Sequence, residues 1–136
     1  MDLIKSLFIS ASGLKAQNNR MQIIAENIAN ADSTGRTPDE DPYRRKIPTF
    51  KSHFDKEIGA EMVEMGRIAE DQSDFVERYE PGHPAANEQG FVRRPNVSTL
   101  VETVDMRQAQ RSYEANLNVI QATRRMVQRT IDILRA

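Results

Sequence analysis

The 136-residue chain sets 19 Lys and Arg against 20 Asp and Glu, so no global charge bias draws it to nucleic acid or to an anionic membrane. Hydrophobic residues make up 38%, aromatics 6%, and Trp is absent, which leaves few large side chains for a self-sufficient compact core. Cysteine is absent too, which excludes disulfide staples and thiolate chemistry, and no apolar run approaches the ~20 residues of a membrane span.

The first predicted element is a helix over about 2–29. Ile4, Leu7, Ala11, Leu14, Asn18, Met21, Ala25 and Ile28 recur at spacings of three and four, which is an a/d heptad row. Leu3, Phe8, Ile23 and Ile24 widen the apolar surface beyond one row, and a wide stripe suits more than one helical neighbour. Asp2 is placed to cap the start. The cluster Asn27, Asn30, Asp32, Ser33 and Gly35 marks the end, where Asn or Gly accepts a left-handed cap. The opening Met1–Ala11 patch is too short and too interrupted for a signal-peptide core, and it runs into the heptad row, so it reads as mature chain.

Residues 31–98 change texture. Gly35, Pro38 and Pro42 with mixed charges predict an extended loop to about residue 46. Short, partly alternating stretches at 43–54, 61–70, 75–79 and 90–94 predict a small β-rich insert. Glu80-Pro81-Gly82-His83-Pro84 predicts a turn, because Pro fixes φ and Gly tolerates unusual values of it. A second long helix is expected over about 99–134. Its row is Met106, Ala109, Tyr113, Asn116, Ile120, Thr123, Val127, Thr130 and Leu134. Thr99 with Glu102 three residues on has the spacing of a capping box, and Arg124, Arg125, Arg129 and Arg135 suit the negative end of the helix dipole.

The expected fold is therefore mainly α with a small β-rich insert. The two long terminal helices would form an antiparallel coiled-coil pair. Residues 1–30 with 99–136 would make a discontinuous inner coiled-coil domain, and 31–98 an outer insert. Asn18 and Asn116 lie in the two rows. A buried amide there selects register and partner, whereas a slight rotation leaves it facing water. Charge is uneven: residues 57–100 hold four basic against nine acidic side chains, and 101–136 hold six against four. That split reads either as solvated surface or as complementary contact between stacked subunits.

Chemistry-bearing motifs are scarce. His53 and His83 have no second His or Cys at ligand spacing, so no metal site is expected, and His83 reads as a locally bonded turn residue. No nucleophile elbow, zinc-protease helix or phosphate-binding glycine loop occurs, so no cofactor, small-molecule substrate or enzymatic activity is expected. Arg44-Arg45-Lys46 could touch phosphates, but Asp39-Glu40-Asp41 precedes it and no aromatic platform accompanies it. A salt-bridged loop or subunit contact is the better reading.

Three stretches carry a resemblance. They are Ser10-Ala11-Ser12-Gly13-Leu14-Lys15-Ala16-Gln17, Ala25-Glu26-Asn27-Ile28-Ala29-Asn30-Ala31 and Tyr113-Glu114-Ala115-Asn116. Together they resemble the flagellar axial proteins, the family of rod, hook and hook-associated subunits. Asp32–Pro38 followed by Pro42-Tyr43, then Tyr79–Pro84, Gly90-Phe91-Val92 and Glu102–Met106, are similar to its proximal-rod branch. Ser98-Thr99 departs from the usual Asn-Pro before the last helix. The resemblance implies a structural subunit of the periplasmic rod, exported unfolded through the type III apparatus. Implied neighbours are other copies of the chain and the rod proteins FlgB and FlgF, with the adaptor FliE and the membrane-supramembrane (MS) ring as further candidates. On periodicity alone a soluble helical adaptor or export chaperone explains the rows equally well. A small enzyme built on His83 has no support in the spacing.

Overall fold

The computed structural model describes residues 2–135; Met1 and Ala136, the outer limits of the expected inner domain, lie outside the described residues. Two long helices bracket six short strands. They run in the order α1 (Leu3–Ala29), β1 (Lys46–Ile47), β2 (Phe50–Asp55), β3 (Ala60–Met65), β4 (Ala69–Glu70), β5 (Val76–Tyr79), β6 (Phe91–Arg94) and α2 (Thr99–Arg135). The strands form three antiparallel pairs, β1 with β4, β2 with β3 and β5 with β6. A mainly helical chain with a small antiparallel insert is what the periodicities predict. The middle differs in detail, since it holds separate two-stranded ribbons and no continuous sheet.

Asp2 caps α1 as expected: its Oδ1 accepts from the Ile4 amide at 3.0 Å. The C-terminal end differs from expectation. Among the described residues only Gly59 and Gly90 have positive φ, so no left-handed residue closes α1. Instead the Asn30 side-chain amide donates back to the Glu26 carbonyl at 2.8 Å, and the Ser33 amide donates to the Asn30 carbonyl at 3.1 Å. The Glu26 carbonyl also accepts from the Asn30 backbone amide at 3.1 Å and the Ile28 carbonyl from the Ala31 amide at 3.2 Å, so carbonyls of the last turn that a helix end can leave orphaned are occupied. The start of α2 also departs from its expected capping box. Glu102 turns inward and is 1% exposed, so its carboxylate does not reach back to the helix start.

The chain divides into two compact units. The first comprises 1–21, 49–67 and 107–136. Its buried positions are small: Ser10, Ala16, Ala60, Ala109 and Thr123. Small residues let backbones approach, and Gly13 is the tightest point: a Cβ there would lie 3.0 Å from the Asn116 amide. Gly in a helix interior costs about 1 kcal/mol relative to Ala, and this contact explains its use. Gly13→Val should therefore lower stability by about 1–3 kcal/mol through overpacking, read as a reduced melting temperature. The β2–β3 ribbon pairs Phe50 with Met65 through Asp55 with Ala60. Gly59 turns it at φ 65°, and Asp55 Oδ1 accepts from the Glu57 and Ile58 amides. The outer edge of β3 is tied to α1 by the Val63 amide, which donates to Ser12 Oγ at 3.3 Å.

The second unit comprises 22–48 and 68–106. It buries Ile23, Ile24, Ala31, Ala85 and Val92, and also Asn27 and Glu102. The β5–β6 ribbon runs from Val76 opposite Arg94 to Tyr79 opposite Phe91. The rings of Tyr79 and Phe91 meet edge to face at 5.4 Å. Gly90 closes the connecting loop at φ 84°, and a Cβ there would lie 2.8 Å from the Tyr79 ring, so both conformation and space demand glycine.

Candidate functional site

Asn27 is fully buried, and a buried amide is tolerated when its hydrogen bonds are made. All four are. Its Nδ2 donates to the Lys46 carbonyl at 2.8 Å and to Glu102 Oε2 at 3.1 Å. Its Oδ1 accepts from the Lys46 amide at 3.0 Å and from the Tyr43 hydroxyl at 2.8 Å. Residues 43–46 of the loop are thus pinned to the end of α1 and the start of α2 by a single side chain.

The second oxygen of Glu102 accepts from Arg45 Nε at 2.6 Å. The same guanidinium reaches Asp71 at 3.6 Å and Asp105 at 3.7 Å. Asn96 completes the set: its Oδ1 accepts from the Arg45 amide at 2.8 Å while its Nδ2 donates to the Asp71 carbonyl at 3.0 Å. Arg44 donates to the Asp71 and Ser73 carbonyls and lies 4.2 Å over the Phe75 ring. Lys46 Nζ pairs with Glu26. Arg45 and Lys46 are therefore salt-bridged and Arg44 is held by backbone carbonyls and the Phe75 ring, which agrees with the salt-bridged loop preferred over phosphate contact.

Burial pushes the Tyr43 hydroxyl up to about 12, helped by the negative charges of Glu26, Glu102 and Glu70. Folding thus favours the protonated phenol. Its contribution is complete below about pH 10, the ordinary value, and is lost as pH rises through about 12. We expect one of the three tyrosines to ionise about 2 units late in the folded chain, followed by tyrosinate absorbance, and Tyr43→Phe to remove that late step. Asp71 moves the other way. Its carboxyl is held low chiefly by hydrogen bonds from Ser73, with the Arg45 charge adding. Its contribution is present at neutral pH and fades as pH falls through its lowered value.

His83 sits in its turn with Nδ1 accepting from the Ala85 amide at 3.0 Å. That bond leaves the proton on Nε2, which faces Thr34 Oγ1 at 3.4 Å. His83 is half-buried, Pro81, Gly82 and Pro84 are exposed, Pro42 is buried, and Tyr43 and Asn30 are half-buried. His53 lies on the exposed β2 ribbon opposite Met62. Among the described residues no His, Asp or Glu group could hold a metal ion.

The heptad rows fall as follows. In α1 the buried positions are Ser10, Ala16, Ile23, Ile24 and Asn27. The row Ile4, Leu7, Ala11, Leu14, Asn18, Met21, Ala25, Ile28 lies beside them, with Ile4, Ala11, Asn18 and Ala25 exposed and Leu7, Leu14, Met21 and Ile28 half-buried. In α2, Ala109 and Thr123 are buried, Met106, Tyr113, Asn116, Ile120 and Val127 are half-buried, and Thr130 and Leu134 are exposed. The Asn116 amide donates to the Ser112 carbonyl of its own helix at 2.9 Å. Other large apolar side chains stand open: Phe8, Leu100, Val104, Met126 and Ile133. Leu134 is 81% exposed and Ile4 61%. Scattered apolar exposure is ordinary, but contiguous helical rows of it mark contact surfaces.

Sequence reasoning missed Glu102, Arg45, Asn96 and Asp71 as one group. The signal available was the place of Glu102 on the inward row of α2, seven residues before Ala109, where a carboxylate needs a buried cation.

Two family models match this chain. "Flagella basal body rod protein" covers residues 7–35, and "Flagellar basal body rod FlgEFG protein C-terminal" covers 88–133. The first match contains Asn27 and the second Glu102. Among relatives, the flagellar basal-body rod protein FlgC of Agrobacterium fabrum is 53% identical over 94% of this chain and 92% of its own. The FlgC proteins of Bacillus subtilis and Salmonella typhimurium are each 37% identical over 98% of this chain, and over 99% and 98% of their own. The resemblance read from Asn27–Asn30, Pro42-Tyr43 and Tyr79–Pro84 thus extends end to end, and the chain belongs to the FlgC family of flagellar basal-body rod proteins.

Proposed function

We propose that the chain is a structural subunit of the flagellar basal-body rod, in the periplasmic region, and that it joins the rod through the apolar rows its helices leave open. The observation that carries this is full-length similarity to FlgC rod proteins in a chain whose two terminal helices leave large apolar side chains such as Ile4, Phe8, Val104 and Ile133 exposed. Such a subunit performs no chemistry; the family is structural and not an enzyme family. Its work is mechanical, and the clasp around Asn27 suits that work by tying the loop to both helices. The adaptor or chaperone reading explains the rows but not the similarity to rod proteins over nearly the whole chain.

In this reading 1–30 and 99–136 form an inner antiparallel coiled-coil layer and 31–98 the outer insert. The pairing is supported by three contacts. Gly13 meets Asn116, Arg20 bonds Gln108 and Asn27 bonds Glu102, so one number falls as the other rises. The adjoining components would be further copies of the chain, FlgB and FlgF, with FliE and the MS ring at the base, reached after type III export. Helices with open apolar rows are marginal alone in water, so the chain ends should gain order on assembly. A tag inserted in 31–98 should appear on the rod of purified basal bodies by electron microscopy. A tagged, functional chain found only as a discrete cytoplasmic species would overturn the proposal.

A further inference from the structure

The C-terminal part of α2 is strongly basic. From Arg107 to Arg135 it carries Arg107, Arg111, Arg124, Arg125, Arg129 and Arg135 against Glu114 and Asp132 alone. Among the described residues none of these six arginines makes an ion pair. Four of them align. Arg107 and Arg111 are one turn apart, Arg125 and Arg129 repeat the pair 18 residues on, and 18 residues make five whole turns. The row runs about 33 Å along the helix, on the side opposite buried Ala109 and Thr123. Like charges at i and i+4 destabilise a helix. This helix has two such pairs, with Glu114 between them and Asp132 beyond, so an opposing anionic surface would relieve it.

The chain carries such a surface in its second unit. Asp39 and Glu88 line one shallow depression, and Glu40 and Glu77 line the next, with Pro38 and Asn87 shared between the two. Asp39, Glu77 and Glu88 are exposed and form no ion pair among the described residues. Arg93, which borders the second depression, is taken by Asp41 at 2.6 Å.

We infer that the arginine row of α2 docks on the acidic surface around Asp39, Glu77 and Glu88 of a second copy. The two surfaces differ, so the contact is heterologous, and repeating it from copy to copy builds a ring or an open helical series according to whether its rotation closes. This rests on the rod reading above and adds which faces meet. Charge complementarity at such a contact sets register and excludes wrong neighbours.

The test is a charge swap, with each variant supplied to non-motile cells of a motile strain from which the native gene has been deleted. One variant carries Arg107→Glu, Arg111→Glu, Arg125→Glu and Arg129→Glu; a second carries Asp39→Lys, Glu77→Lys and Glu88→Lys; a third carries all seven. Circular dichroism of each purified chain confirms that its helices are retained. We expect each partial swap to abolish swimming and rod incorporation, and the full swap to restore both. Partial swaps that assemble like the native chain overturn the contact. So does a full swap no better than the partial ones, which would assign the arginines to an anionic partner other than a second copy. Both results leave the rod reading standing as long as the native chain is recovered in basal bodies, and its absence from them is what would end that reading.

Discussion

Glu102→Ala should cost about 3 kcal/mol of stability, a large part of what a small domain possesses. The carboxylate is 1% exposed and serves two partners at once, Arg45 Nε at 2.6 Å and Asn27 Nδ2 at 3.1 Å. Truncation leaves the guanidinium with only the longer contacts to Asp71 and Asp105. It also strips one bond from a fully buried amide. Removing one member of a buried pair is costly because the other stays behind, charged and unmatched. Glu102→Gln keeps the shape and one acceptor, so it should fall between. The double variant Glu102→Leu with Arg45→Met removes both charges and should recover much of the loss. Urea midpoints give the comparison, and amide exchange at Arg45 and Lys46 localises it. If Glu102→Ala unfolds at the native midpoint, the clasp is not what holds the loop.

Ile120→Asp, or Leu14→Asp on the other helix, should leave cells without swimming and without assembled rods. Both side chains are half-buried in the single chain, so each still offers surface to a neighbour. A carboxylate brought into a packed apolar contact must be desolvated or excluded, and its cost there exceeds what one apolar contact contributes. The monomer should tolerate the change better than the assembly does. We expect near-native helix content from the purified variants and loss of incorporation into basal bodies. Normal rods built from Ile120→Asp chains would show that the row of α2 is not an assembly surface.

Much of this was legible beforehand because helices announce themselves by period. The α2 row, read from Met106 through Val127, contains the buried Ala109 and Thr123. In α1 two adjacent rows are both apolar enough to serve. Periodicity favours the one with Leu14 and Ile28, while the chain buries the one with Ala16, Ile23 and Ile24. The choice turned on size: Gly13, Ser10 and Ala16 allow close approach, a property that hydrophobicity alone does not register. Glu102 was misread for a related reason. Its distance from Thr99 has the capping-box spacing, a local pattern, but a half-buried guanidinium 57 positions away in the chain outcompeted the local bond. Asn27 was visible as a motif residue, but its role depends on backbone groups of Lys46, which no side-chain pattern reveals. The ribbons were placed only roughly because strands of two residues, such as β1 and β4, carry no alternation to read.

The central claim is that the open rows are covered when the chain is built into the rod, and the absence of cysteine makes it directly measurable. Single cysteines replacing Ile4, Val104 or Leu134, and one at exposed Lys56 as a control, would be labelled with a thiol reagent in purified monomer and in purified basal bodies. The account predicts rapid labelling of all four in the monomer, and strong protection of Ile4, Val104 and Leu134 but not Lys56 in basal bodies. Equal labelling of those three positions in both states would contradict it.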